Sequence, residues 1–263
     1  INKIRSYSLL HKNKISTFKQ FYKRLITKIN IKLNLPKRHD ICFFAGDVCR
    51  KYATGKNNYG INLCDYDQIL TDDSERTITG DYAVFLDINR AHNIDVDIGN
   101  LLRINSKEYI EQLNAFFKRF EKYYKLDVVI ASHPTSKYSK DTFDSRKIIP
   151  MKTSNLVKFS KHVLLHHSTA LSYAIIYKKP ITFFVTKEMS NHYDHHISRL
   201  LSNYLSRQLI VLNENYSFES IPIYERLYDK YKYNYIVSKE TESVASFDLV
   251  QQKINNYFKD NFE

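Results

Sequence analysis

The sequence predicts an α/β protein: a Rossmann-like parallel sheet with helices on both faces, preceded by a helical segment. Three observations carry that expectation. Apolar runs of about five residues alternate with helix-like stretches from Tyr82 onward, the pattern of parallel strands joined by crossover helices. The stretch from His162 to Val185, HVLLHHSTALSYAIIYKKPITFFV, reads as strand, polar turn, helix, strand. An apolar content of 43% over 263 residues suffices for a sizeable core.

Taken in order, residues 1–40 form a basic segment, with eleven Lys and Arg before Asp40 and no acid. Ile15, Phe18, Phe21, Tyr22, Leu25, Ile26 and Ile29 recur there at helical spacing, with lysines between them, so a cationic amphipathic helix is expected. The chain opens on Ile1 in this Lys-rich stretch. An upstream portion is therefore expected, and the helix is read as the remnant of an N-terminal domain or a connector. Leu35-Pro36-Lys37-Arg38 reads as a break. Residues 41–80 form a connecting region with a strand at 41–45 and a loop at 54–59, and residues 81–263 the Rossmann-like domain. In that domain strands are expected at 82–86, 127–131, 163–165, 181–185 and 209–212, and helices at 106–124, 169–177, 192–205 and 247–258.

Several classes are excluded early. No apolar run approaches the roughly 20 residues of a spanning helix, and the start does not resemble a signal peptide, so a cytoplasmic protein is expected. Cys42, Cys49 and Cys64 have neither disulfide nor zinc spacing and read as free thiols. The five glycines form neither GxGxxG nor a P-loop, which disfavours a dinucleotide oxidoreductase or a P-loop NTPase. Of the net charge of +12, the basic segment carries nearly all, leaving 29 of the 40 basic residues against all 28 acids. That segment suits a packed helix with a solvated face or an anionic membrane surface. Nucleic acid is not expected, because the rest of the chain lacks basic and aromatic clustering.

The candidate site follows from two strand ends. Ser168-Thr169, between one apolar run and the next helix, is expected to cap that helix and face an anion, phosphate being the natural ligand. The competing reading is a plain helix cap. LDVVIASHPTSKY places His133-Pro134 where another parallel strand meets its loop, and two such strand ends can converge on one ligand. Lys137 and Arg146 are candidate charge partners. Of His166 and His167, one is expected to line the pocket and the other to face the sheet; His167 is counted in the site.

His133-Pro134 after a strand, followed by Ser168-Thr169 inside HHSTALSYAIIYKKP, resembles the C-terminal half of GT-B glycosyltransferases, in particular bacterial sialyltransferases and related surface-carbohydrate enzymes. The resemblance covers roughly residues 82–185 by motif and reaches the C-terminus by architecture alone. It implies that His133 contacts the departing phosphate of a CMP-sugar, that Ser168 and Thr169 bind it, and that Pro134 shapes the loop beside the nucleotide. It further implies a metal-independent transferase acting on a nucleotide-sugar donor and a bacterial glycan or glycolipid acceptor, with no cofactor, held peripherally at the inner face of the membrane by residues 1–39.

Sugar transfer also needs a base for the acceptor hydroxyl. Asp87, ending the strand YAVFLD, is the first candidate and His92 the second; the stretch from Asp87 to His92 is similar to one in these surface-carbohydrate proteins. Asp95 and Asp97 serve equally well by type. The acidic, Gly-containing motif in which the sialyltransferases often carry their base is not found in this chain. Asp65-Tyr66-Asp67 has the DxD pattern of metal-bound nucleotide sugars but stands alone, and His192, His195 and His196 lack a further zinc ligand, so no metal is expected. The 21 tyrosines are scattered and read as packing residues. The functional readings are transfer of a CMP-activated acidic sugar (sialic-acid-like or Kdo), a CDP-polyol or other nucleotide-sugar transferase, and a non-catalytic nucleotide-sugar-binding domain.

Overall fold

A computed structural model describes residues 39–91, 103–212, 216–219 and 222–262. The basic segment up to residue 38, together with His92, Asp95 and Asp97, lies outside the described residues. The chain divides into two compact units, Ile1–Phe43 with Tyr52–Tyr59, and Phe44–Lys51 with Gly60–Glu263. In chain order the elements are β1 (Ile41–Ala45), α1 (Gly46–Arg50), β2 (Asn57–Ile61), α2 (Cys64–Leu70), β3 (Tyr82–Leu86), α3 (Ser106–Tyr124), β4 (Asp127–Ser132), β5 (Ile148–Pro150), α4 (Thr153–Phe159), β6 (His162–Leu165), α5 (Leu171–Ile176), β7 (Ile181–Val185), α6 (Tyr193–Tyr204), β8 (Leu209–Val211), α7 (Glu225–Tyr231) and α8 (Ser246–Phe262). β1 and β2 form a two-stranded sheet. The expected loop at 54–59 thus gives its last three residues to β2, an Asn- and Gly-containing strand that exists only by pairing with β1.

The six strands β3 to β8 form one parallel sheet in the order β5-β4-β3-β6-β7-β8. The chain starts at the central strand, winds outward to one side, then returns to wind outward to the other, which is the doubly wound Rossmann arrangement. YAVFL and ITFFV are buried at every position, as parallel strands covered on both faces must be. Alternate residues go to opposite layers. Tyr82, Val84 and Leu86 pack with Leu156 and Val157 of α4, Leu171, Ala174 and Ile175 of α5, and Tyr228 of α7. Ala83 and Phe85 pack with α3.

α3 spans the expected residues. Asn105 caps it, its side-chain oxygen accepting from the amides of Lys107 (3.0 Å) and Glu108 (3.4 Å), and Lys125 ends it in the left-handed conformation. Tyr109, Leu113, Phe116, Phe117 and Phe120 form its buried stripe. At roughly 1.5–3 kcal/mol per fully buried large side chain, that stripe contributes on the order of 10 kcal/mol to docking the helix. Phe116 stacks on Phe184 of β7 with ring centres 4.3 Å apart. Among the described residues no helix is long and apolar enough to cross a membrane.

Candidate functional site

In a parallel sheet every strand ends at the same edge, so the loops after β3, β4 and β6 emerge side by side. β4 and β6 flank β3, which sets their ends ~10 Å apart at the usual interstrand spacing. This is also where the winding reverses, the crevice that doubly wound sheets offer to ligands.

Asp87 is the first residue after β3 and is 6% exposed. Its backbone amide donates to the Ala131 carbonyl (3.1 Å), extending the ladder to β4. Its carboxylate takes four donors. Oδ1 accepts from the Asn89 amide (2.8 Å) and the Tyr138 hydroxyl (3.1 Å), and Oδ2 accepts from the His133 amide (3.1 Å) and the Ser136 hydroxyl (2.9 Å). Burial and the neighbouring Asp87 charge push the Tyr138 hydroxyl well above the usual phenol range, so it stays a donor. Asn89, left-handed at φ 51°, donates from its side chain to the Thr135 hydroxyl (3.2 Å). Asp87 therefore clamps the β3 and β4 loops together, and its lone pairs are occupied by that task.

The clamp fixes the His133 ring. Nδ1 lies 2.8 Å from the Thr135 hydroxyl and accepts from the Thr135 amide at 3.3 Å. An amide can only donate, so the proton of the neutral imidazole is on Nε2. That nitrogen is a donor with a defined direction. Pro134, next in the loop, lines a cleft of about 580 Å³ with Ser132, Gln68, Asp72, Asn155 and Tyr173. Its volume is in the range of small-molecule sites, and its lining is mostly polar.

The β6 loop is tied in through α6. Arg90, in the β3 loop, pairs through Nε with Asp194 (2.8 Å), the two side chains being 4% and 3% exposed. The other Asp194 oxygen lies 3.5 Å from His167 Nε2. A continuous chain of contacts thus runs from His133 through the β3 loop and Asp194 to His167, adjoining Ser168. Burial lowers the His167 pKa, with Asp194 opposing. His166 faces inward. Its Nδ1 donates to the Phe184 carbonyl (2.6 Å), its Nε2 therefore accepts from the Tyr109 hydroxyl (2.9 Å), and burial pushes its pKa down to about 4.

Ser168 and Thr169 sit in the turn ahead of α5, not at its cap. The helix begins at Leu171 after Ala170, with no side-chain cap, while Ser168 Oγ accepts from the Ala170 amide (3.2 Å) inside the turn. A helix of six residues also has a short dipole, so an anion here would be held by side chains and turn amides. Thr169 is exposed.

Arg146 belongs elsewhere. Its guanidinium forms a two-bonded fork with Glu121 (2.8 and 2.7 Å), and the same carboxylate accepts from the Val128 amide at the start of β4. That is the opposite edge of the sheet from His133, a strand length of roughly 15–20 Å away, so Arg146 is a structural cation rather than a phosphate partner. Lys137 is exposed in the β4 loop. The DxD acids lie on α2, where Asp65 accepts from Ser172 and Asp67 accepts from the Ser246 amide at the start of α8 (3.1 Å). Among the described residues no group of three metal-ligating side chains occurs.

The sequence reading missed Tyr138, Thr135, Asn89 and Asp194. Asn89 carried a signal, since Asp-x-Asn directly after a strand favours a tight turn. Asp194 was overlooked among the surrounding histidines.

No protein-family model and no curated protein matches the chain. It is similar to a solved structure of the UDP-GlcNAc 2-epimerase of Methanocaldococcus jannaschii in complex with UDP-GlcNAc and UDP, at 13% identity and a TM-score of 0.43, over 78% of this chain and 57% of that one. It is similar to S. aureus MnaA bound to UDP, at 12% identity and 0.41, over 92% and 82%. A third likeness is to the wall teichoic acid polymerase TagF, at 11% and 0.43, over 85% and 59%. The architecture and the site stand on the chain's own residues.

Proposed function

We propose that the C-terminal edge of the sheet binds the phosphate of a nucleotide sugar, and that the protein is a GT-B-type glycosyltransferase using a CMP-activated acidic sugar. The observation that carries this reading is the clamp at the switch point, in which Asp87 holds the His133 amide and Thr135 occupies Nδ1, leaving Nε2 as the ring's donor. When the anomeric carbon–oxygen bond of the donor breaks, the electron pair leaves on the phosphate. A fixed donor beside that oxygen stabilises the developing charge. His133 Nε2 supplies it, with Ser168 and Thr169 across β3 holding further phosphate oxygens. The acceptor hydroxyl forms the new bond and gives its proton to a base. Asp87, with four donors on its carboxylate, acts in this scheme as a positioning residue, and His92 becomes the first candidate for the base. The cleft beside Pro134 offers volume for the sugar or nucleoside. Attachment of residues 1–39 to an anionic membrane surface belongs to the same proposal.

Calorimetric titration of the full chain with CMP, CDP, UDP and GDP tests it. CMP is expected to bind most tightly, and His133→Ala and Ser168→Ala each to weaken it about tenfold, as loss of a charge-assisted hydrogen bond does. Preference for UDP or GDP rejects the CMP assignment. Unchanged affinity in both variants rejects the phosphate site.

A further inference from the structure

A second feature lies at the other end of the sheet. The starts of β7 and β8 border a cleft of about 280 Å³ lined by Thr182, Ser206, Arg207, Gln208, Ser217 and Tyr224, among others. Arg207 is 9% exposed and makes no ion pair with a described residue. Its partners among the described residues are neutral: one guanidinium nitrogen donates to the Pro222 carbonyl, the Tyr228 hydroxyl interacts with the side chain, and the group lies 5.2 Å from the centre of the Tyr224 ring. Its Nε is buried without a hydrogen-bond partner.

Compare buried Arg90 and half-buried Arg146. Arg90 has Asp194, and Arg146 has Glu121. A buried charge left uncompensated is unfavourable, and an anion arriving from outside would relieve it. The field of Arg207 is felt nearby: burial first, and then this positive charge, push the pKa of His162 down to about 3.

We propose that Arg207 and the surrounding hydroxyl and amide groups form a site for a phosphate-class oxyanion, on the edge of the sheet opposite the one that holds His133. A guanidinium presents a planar fork to two oxygens. Ser206, Gln208 and Ser217, lining the same cleft, can serve the remaining oxygens of a tetrahedral anion better than those of a carboxylate. Among the described lining residues Glu219 is the one acid, and it sets the main alternative, that it serves as the counter-ion of Arg207.

The experiment titrates the full chain with inorganic phosphate, against sodium chloride at equal ionic strength, by calorimetry and thermal unfolding. Expected are a saturable rise in Tm and, for the phosphate that His133→Ala still binds at the other edge ~15 Å or more away, a loss of affinity of about tenfold or more when Arg207→Lys is added, which removes the fork. Arg207→Met should raise the Tm of the unliganded protein and abolish that His133-independent response, because it deletes an uncompensated charge. Equal phosphate binding in His133→Ala with and without Arg207→Lys, or no phosphate response left in His133→Ala, overturns the proposal. Should Arg207→Met not fold, Glu219→Gln decides. Tighter phosphate binding supports an open anion site, and lower stability with no phosphate response identifies Glu219 as the counter-ion and overturns it.

Discussion

Replacing Asp87 with asparagine exchanges one acceptor oxygen for an NH2 group where each oxygen already accepts from two donors. Two of those donors are hydroxyls, Ser136 and Tyr138, which can turn and accept instead. The other two are the amides of Asn89 and His133, one on each oxygen, and an amide cannot reverse. Whichever way the new side chain is flipped, one buried backbone N–H meets another N–H. An unsatisfied buried donor costs about 1–3 kcal/mol, and the remaining bonds lose their charge assistance, so the variant should be about 3 kcal/mol less stable. For a domain of this size that is a fall in Tm on the order of 10 °C. Thermal unfolding followed by circular dichroism measures it, and titration with CMP should show weaker binding in parallel, because the displaced amide belongs to the His133 loop. A Tm within about 2 °C of wild type, with CMP binding unchanged and transfer abolished, refutes the reasoning and returns Asp87 to the role of base.

Arg146→Met strands Glu121 against the Val128 amide and should cost about 2–4 kcal/mol in urea denaturation while leaving nucleotide affinity unchanged; weakened CMP binding in a folded variant would restore Arg146 to the site. His166 stays neutral in the fold down to about pH 4, whereas the unfolded ring takes a proton near 6.5. The unfolded state then holds more protons, so stability falls as pH drops from 6.5 towards 4, and His166→Gln, which keeps both hydrogen bonds, should flatten that limb in pH-dependent melts. Gly46 is left-handed at φ 73°, and a Cβ there would come 2.5 Å from the Asn234 carbonyl carbon, so Gly46→Ala should lose about 2 kcal/mol or more in denaturant, combining strain with a backbone clash.

Five strands of the large sheet were legible because burial turns them into continuous apolar runs, and α3 because a regular aromatic stripe marks its face; the three-residue edge strand β5, half-buried and ending on the exposed Pro150, was not. Nor were β2, α2 and α4. They are short, weakly patterned segments whose order comes from neighbours distant in the chain; Asn155 of α4, for instance, donates to Ser74 and to the Glu75 carbonyl. The site divides in the same way. That a histidine and a hydroxyl pair stand at two strand ends is local information. That Asp87 is filled by donors from residues 133–138 is not, because about fifty residues separate them and only the β3–β4 pairing brings them together.

Arginine shows most plainly what the chain order hides. By sequence, Arg90, Arg146 and Arg207 are equivalent cations in an α/β domain, and Arg146 is a candidate charge partner for a phosphate. In the fold the first is neutralised by an acid 104 residues away, the second by one 25 residues away, and the third by no carboxylate among the described residues. The cost of burying a guanidinium scales with what surrounds it rather than with its type. Availability for an external anion is therefore a property of the missing partner, and it moves attention from Arg146 to Arg207. The two proposed phosphate-class sites differ in design: at His133 an oriented ring donor sits at an edge where Arg90 is paired with Asp194, while at Arg207 a permanent charge meets no carboxylate among the described residues.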